Sequence, residues 1–157
     1  RHASDATTAA FRDAQQRVLD RYQVPAQSRF VDVPSISGRA QVLVTGEGPP
    51  LPLVIGGAIP AVFWAPLMAE LSGHTLYAIE LPGNGLTDRA RYHHATFRRT
   101  AVAYLADILD ALDIGPGPFV TRGSPVRSSS LTPHSRSRLR CCTGVTGPST
   151  STSSRRG

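Results

Sequence analysis

Apolar and polar positions alternate with two different periods along the first 120 residues. Residues 6–22 repeat their apolar side chains at helical spacing, with Asp5 as a candidate N-cap. Two extended runs follow at residues 29–33 and 39–45. The alternation within residues 41–44 predicts that these runs form an antiparallel hairpin with one buried face.

The run at residues 51–55 is apolar almost without interruption and predicts a strand that is covered by helices on both faces. After a Gly-Gly turn, Phe63, Leu67 and Leu71 recur at helical spacing. Gly73 follows them as a candidate for the residue that terminates the helix. A first strand-helix unit is therefore predicted here.

The next segment repeats this order. Residues 75–79 predict a strand, residues 96–112 a helix, and residues 118–120 the start of another strand. The predicted apolar stripe of the helix consists of Phe97, Ala101, Leu105, Ile108 and Leu112. Alternating strands and helices predict an α/β fold, with a parallel sheet, right-handed crossovers and an antiparallel hairpin at its start.

Charge divides the chain at the end of this pattern. Residues 1–121 hold ten arginines and all eleven acidic residues, a balance of −1, whereas residues 122–157 hold seven arginines and no acid, a balance of +7. The segment from residue 121 onward also holds sixteen Ser or Thr residues and few large apolar ones. We therefore expect an N-terminal helix in residues 1–27, an α/β domain in residues 28–120 and a disordered Arg/Ser-rich tail in residues 121–157.

Composition narrows the candidate partners. The arginines of the tail could contact nucleic acid, but the tail offers no aromatic residue for base stacking, so a nucleic-acid partner is not the first expectation. The two cysteines, Cys141 and Cys142, are adjacent and provide no spaced metal or disulfide framework, and we expect no metal and no cofactor. Without an apolar signal core or membrane span in these residues, a cytoplasmic protein that contacts no membrane is expected. The oligomeric state stays open.

Three segments carry a family resemblance. Residues 53–58 read LVIGGA, residues 76–88 read LYAIELPGNGLTD, and residues 103–114 read AYLADILDALDI. In this order and spacing they resemble the third strand, the "D-x-P-G-x-G-x-S-D" turn and the following helix of the α/β-hydrolase fold family, with Glu80 in place of aspartate and Thr87 in place of serine. The resemblance covers about residues 28–120, and the C-terminal tail does not match.

The resemblance implies a place for the oxyanion donors. Gly56 and Gly57 correspond to the family's His-Gly turn after the third strand, with Gly56 where the family has histidine. The backbone N–H of Ala58, next to Gly57, then becomes the candidate oxyanion donor. The alternative is that the two glycines only allow a sharp turn.

Two carboxylates flank the second glycine turn. Glu80 and Asp88 could work as an acid and base pair, but a structural role, with Asp88 bonding local backbone amides, is favoured. His93 and His94 precede the last helix and come too early in the chain to match the family's catalytic histidine. We expect them at the surface.

The sequence lacks the motif that carries the family's nucleophile. Where the family has Gly-x-Ser-x-Gly, residues 121–126 read TRGSPV, so Ser124 is a weak candidate. Pro125 cannot donate the N–H expected from the residue after the nucleophile. No catalytic acid or histidine is identifiable after it, so no complete triad can be assembled from these residues. One hypothesis explains both the tail and the absence of lysine: the tail is hydrolase coding sequence of high GC content read in a shifted frame.

Together these features predict an incomplete α/β-hydrolase. By resemblance, the parent enzyme would cleave an ester or a similar bond in a small molecule by nucleophilic catalysis, and this chain would be inactive. Two alternatives stay open, a non-catalytic domain that keeps the fold for binding and a basic protein that associates with nucleic acid.

Overall fold

The computed structural model describes residues 5–91 and 96–122, together with the backbone of residues 139–141. Helices and strands follow one another as α1 (Asp5–Arg21), β1 (Gln27–Val33), β2 (Gly38–Thr45), β3 (Pro50–Ile55), α2 (Ala65–Glu70), β4 (Thr75–Ile79), α3 (Phe97–Ala111), β5 (Gly117–Arg122) and β6 (Leu139–Cys141). Short 3-10 turns precede β2 and α2, at Pro34–Ile36 and Ala61–Trp64.

The strands form one mixed sheet in the order β1-β2-β4-β3-β5-β6. Strand β2 pairs antiparallel with both β1 and β4, whereas β3 pairs parallel with β4 and β5, and β5 pairs parallel with β6. From β3 the chain passes through α2 to β4, which pairs with one edge of β3. From β4 it passes through α3 to β5, which pairs with the other edge of β3. The α/β fold with a hairpin entering a parallel sheet is therefore confirmed, and the order of the strands reverses at β3.

The sheet has a hydrophobic core on each face. Alternate residues of β3 enter different cores, since Leu53 and Ile55 pack with α1 and α2 whereas Val54 packs with α3. The buried members of the α1 and α2 side are Leu19, Val24, Leu43, Leu51, Leu53, Ile55, Ala61, Trp64, Ala65, Met68, Leu76 and Ala78. Those of the α3 side are Val33, Ala40, Val42, Val44, Val54, Ile79, Tyr104 and Ile108. Coverage of β3 on both faces, as the sequence predicts, is confirmed.

Strand β2 differs from its prediction. Residues 40–45 are all buried, including Gln41, so the expectation of a single buried face was wrong. Both faces of β2 are buried because β2 also pairs with β4, which comes 30 residues later in the chain. That pairing places β2 inside the sheet, where Leu43 faces one core and Val42 the other.

The segment after β3 also differs from its prediction. A 3-10 turn replaces the first helical turn, and Phe63, expected in the apolar stripe, is 47% exposed. The helix ends at Glu70, and Gly73 lies beyond it with φ +74° instead of closing it directly. The residues of this segment that are buried are Ala61, Trp64, Ala65 and Met68. Packing of this segment against α1 and the sheet decides which of its faces is buried, and this face differs from the stripe that the apolar spacing predicts.

Helix α3 keeps Ile108 in the core but leaves Phe97 51% exposed. Tyr104, absent from the predicted stripe, is completely buried and packs on the same face. Strand β5 continues to Arg122, past the point where the sequence pattern ends. Its pairing with β6 places a short strand within the predicted tail.

Candidate active site

Two loops lie at the carboxyl ends of neighbouring parallel strands. We call residues 56–60, after β3, the first glycine turn, and residues 80–88, after β4, the second glycine turn. The two strands are paired up to Val54 and Ile79, so both loops leave the sheet at the same edge. Because open α/β sheets bind ligands where the strand order reverses, these turns form the candidate site.

Glu80 holds the second glycine turn together. Its carboxylate, which is completely buried, accepts hydrogen bonds from the backbone N–H groups of Ala61 at 3.0 Å and Leu86 at 3.2 Å. The Thr87 hydroxyl donates to the same carboxylate at 3.4 Å, and the Tyr104 hydroxyl donates to the Glu80 carbonyl oxygen. One side chain thus links the turn to the 3-10 segment before α2, through bonds that a charged acceptor strengthens.

Burial raises the pKa of Glu80, because the charged form loses its hydration inside the protein. The hydrogen bonds from Ala61, Leu86 and Thr87 act in the opposite direction and offset part of this effect. Gly85 allows the close packing around the carboxylate: its φ is +51°, and a Cβ atom at this position would overlap both carboxylate oxygens of Glu80. The second glycine of the motif is therefore required by both conformation and space.

Asp88 and Thr87 attach the second glycine turn to β2. The Asp88 carboxylate accepts a hydrogen bond from the Arg39 N–H at 2.8 Å, and the Asp88 N–H donates to the Arg39 carbonyl oxygen at 2.9 Å. The Thr87 hydroxyl accepts a bond from the buried Gln41 N–H at 3.0 Å. Asp88 has the expected structural role, but its carboxylate bonds an amide of a distant strand and not a local one.

The paired-carboxylate interpretation gains no support from this arrangement. Glu80 has no exposed surface from which to exchange a proton with a substrate, and Asp88 is engaged with β2. Both side chains stabilise the loop that lies beside the first glycine turn.

The first glycine turn is held at two points. The Gly56 N–H donates to the Arg122 carbonyl oxygen at 2.8 Å, which joins the turn to the end of β5. The Asn84 side-chain amide donates to the Gly57 carbonyl oxygen at 2.8 Å, which joins it to the second glycine turn. Gly57 has φ +76°, in the left-handed region that favours glycine. Ala58 is exposed, and its N–H has no acceptor among the described residues.

Exposed large side chains follow Ala58 in the chain. Ile59 is 36% exposed, and the exposed Phe63 ring lies under the Arg122 guanidinium, whose Cζ is 4.9 Å from the ring centroid. Gly57 and Ala58, the predicted oxyanion residues, are thus brought next to Asn84 and the end of β5. Sequence reasoning missed Asn84, although an asparagine between two glycines is a residue type that often bonds nearby backbone.

Other predicted residues lie outside the part of the chain that the structure describes. Ser124, the weak nucleophile candidate, is one of them, as are His93, His94 and Cys142. Within the described residues, no group of three or more His, Cys, Asp or Glu side chains could hold a metal ion. None of the helices in this part is long and apolar enough to cross a membrane.

Comparison with known proteins points to one fold. The chain matches no protein-family profile. It is 38% identical over 69 residues to a pimeloyl-[acyl-carrier protein] methyl ester esterase of Xylella fastidiosa, and the match covers 43% of this chain and 25% of that protein.

Two solved structures extend the comparison. Naproxen esterase (carboxylesterase NP) of Bacillus subtilis superposes with a TM-score of 0.63 at 22% identity, over 77% of this chain and 42% of the esterase. An epoxide hydrolase from an endophytic Streptomyces gives a TM-score of 0.53 at 27% identity, over 62% of this chain and 29% of the hydrolase. The chain therefore spans less than half the length of each of these proteins.

Proposed function

We propose that this chain, which shares the α/β-hydrolase fold, derives from an enzyme that cleaves an ester or a similar bond in a small molecule through an activated nucleophile. One observation carries the proposal. The Ala58 N–H at the carboxyl end of β3 has no acceptor among the described residues, while hydrogen bonds hold the turn around it in place.

The chemistry of ester cleavage gives this N–H a use. Attack on the carbonyl carbon moves negative charge onto the carbonyl oxygen, and the barrier falls when donors are already directed at that oxygen. A backbone N–H that is fixed before the reaction needs no reorganisation as the charge develops. Gly57 supports this role because its left-handed conformation lets the chain turn sharply after β3 and expose the next amide.

We propose that these 157 residues do not catalyse the reaction by themselves. The residues after β5 read GSPV, so the residue after Ser124 has no N–H, and the last acidic residue in the chain is Asp113. A nucleophile, a second oxyanion donor and an acid-histidine pair would have to come from elsewhere. The substrate is not specified by these residues.

The first test is an assay of the purified chain with nitrophenyl esters and a serine-directed fluorophosphonate probe. We expect no turnover above buffer and no labelling. Turnover that Ser124→Ala abolishes would contradict the proposed inactivity, because it would show that Ser124 is a working nucleophile.

The second test asks whether the first glycine turn can serve a complete enzyme. In a chimera, residues 50–88 replace the structurally equivalent segment of the Bacillus esterase. We expect the chimera to hydrolyse esters, and Ala58→Pro, which removes the donor, to lower kcat about a hundredfold or more. The matched control is Ala58→Ser, which keeps the N–H. A folded chimera that is inactive, or one that Ala58→Pro leaves unchanged, would favour a non-catalytic domain.

A further inference from the structure

Asn84 bonds a peptide group whose other end is the proposed oxyanion donor. The Asn84 side-chain nitrogen Nδ2 donates to the Gly57 carbonyl oxygen at 2.8 Å. That oxygen and the Ala58 N–H belong to one planar peptide unit, and no described peptide bond is cis. In a trans peptide the C=O and N–H bonds point in opposite directions, so a contact that fixes the oxygen also fixes the direction of the N–H.

Among the described residues, two features favour this orientation of the peptide: the bond from Asn84 and the backbone preference of Ala58. Rotation of this peptide changes ψ of Gly57 and φ of Ala58. Glycine tolerates the change in ψ, and among the described residues nothing lies within 4 Å of a Cβ atom built at Gly57. Ala58 does not have a positive φ, and the rotated peptide would give it one, which a residue with a Cβ atom disfavours. Rotation of the peptide by about 180° would turn the Gly57 oxygen to where the Ala58 N–H is now. In that orientation, carbonyl lone pairs would face a developing oxyanion and destabilise it.

Asn84 is itself well anchored. The backbone N–H of Asn84 donates to the Leu81 carbonyl oxygen at 3.1 Å, and the backbone carbonyl oxygen of Asn84 accepts a bond from the Thr87 N–H at 2.9 Å. Thr87 is buried and bonds the Glu80 carboxylate. The rigid second glycine turn therefore supports a side-chain donor that reaches across to the first.

We propose that Asn84 is a positioning residue: it selects the orientation of the Gly57–Ala58 peptide in which the Ala58 N–H is free to receive an oxyanion. The catalytic meaning of this role rests on the proposed function, whereas the orientation itself is a property of the folded chain. The proposal requires a donor at position 84. An aspartate of nearly the same shape can only accept, and it would attract the Ala58 N–H and favour the rotated peptide.

The test compares Asn84→Asp with Asn84→Ala by amide hydrogen exchange in the 157-residue chain, measured by NMR. In the wild type and in Asn84→Ala we expect the Ala58 amide to exchange within about threefold of an unstructured peptide. In Asn84→Asp we expect it to slow by about tenfold or more, because it gains a charged acceptor. The amides of β4 serve as the folding control in all three proteins.

A role limited to bracing the turn predicts a different result, since both substitutions would remove the same brace. Equal Ala58 exchange rates in the two variants, or a protected Ala58 amide in the wild type, would overturn the proposal.

A second measurement needs no variant. Asn84 is the only asparagine in the chain, so selective 15N-asparagine labelling gives a single pair of side-chain amide signals. We expect one proton of the pair to exchange several-fold more slowly than the other. Exchange of both protons at the rate of a free asparagine side chain would also overturn the proposal. Neither result depends on ester hydrolysis, so failure of the proposed function and failure of this inference can be told apart.

Discussion

The two glycine turns lie side by side at one edge of the sheet, but their polar groups are used in opposite ways. In the second turn, the carboxylates of Glu80 and Asp88 accept bonds from surrounding amides. In the first turn, Ala58 is exposed and its N–H has no acceptor among the described residues. The difference indicates that the second turn stabilises this edge of the sheet, whereas the first turn leaves a backbone donor without an acceptor there.

Replacing one glycine of each turn by alanine should produce the largest difference in unfolding free energy between the two turns. Gly85→Ala places a Cβ atom against the buried Glu80 carboxylate and adds left-handed strain, so we expect it to lower the free energy of unfolding by about 4 kcal/mol. Gly57→Ala adds similar strain in open space and should lower it by only about 1 kcal/mol. Urea denaturation of both variants measures the difference, and equal losses would show that the second turn is not the more tightly packed one.

Glu80→Gln tests the acceptor at the centre of the second turn. The glutamine NH₂ group would face a backbone or hydroxyl donor, and we expect a loss of about 2 kcal/mol in unfolding free energy at pH 7. A loss below about 0.5 kcal/mol would mean that the carboxylate does not organise this turn.

The difference in unfolding free energy between the wild type and Glu80→Gln should change with pH in a direction that the pKa shift of Glu80 determines. Since burial raises the pKa of Glu80 in the folded state, the folded protein binds more protons than the unfolded chain between pH 4.5 and the raised pKa. The contribution of Glu80 to stability should thus be complete below pH 4.5 and decline as pH rises through the folded pKa. The difference between wild type and Glu80→Gln, followed by denaturation from pH 8 down to pH 4.5, should widen. A difference that narrows would contradict the direction of the shift.

Thr87→Val tests the connection between the second glycine turn and β2. The substitution leaves the buried Gln41 N–H without its acceptor and removes a bond to Glu80, so we expect a loss of about 1.5 kcal/mol. Thr87→Ser keeps the hydroxyl and should lose less than half as much. Thermal or urea unfolding compares the two variants. A loss in Thr87→Val no larger than that in Thr87→Ser would contradict the role of the hydroxyl, because valine keeps the methyl group that serine lacks.

The smallest effect is expected beside the first turn. Phe63 is half exposed and contacts the Arg122 guanidinium through its ring, so Phe63→Leu should lower stability by about 0.5 kcal/mol or less. A much larger loss in urea denaturation would show that the first turn depends on this contact for its structure, and it would weaken the contrast with the second.

The sequence predicted the fold well where the evidence was local. Strand β4 has the predicted bounds, and the apolar run of β3 correctly indicated a strand between two cores. The errors arise where distant contacts decide. Gln41 is buried because β2 pairs with β4, and Phe63 is exposed because the segment after β3 packs through Trp64 and Met68 instead.

The candidate site shows the same limit. The glycine motifs located both turns, and Gly57 with its positive φ is at the expected place. The cross-links that shape the site, from Asn84 to Gly57 and from Asp88 to Arg39, join residues 27 and 49 positions apart. Neither pair has a spacing that a local pattern could reveal.

Amide hydrogen exchange across both turns of the wild-type chain tests the central contrast most directly. We predict that the amides of Ala61 and Leu86, which donate to Glu80, are protected, while the Ala58 amide exchanges nearly as fast as in an unstructured peptide. Protection of Ala58, or fast exchange at Ala61 and Leu86, would contradict the account that one turn is closed by its own carboxylate and the other presents a free donor.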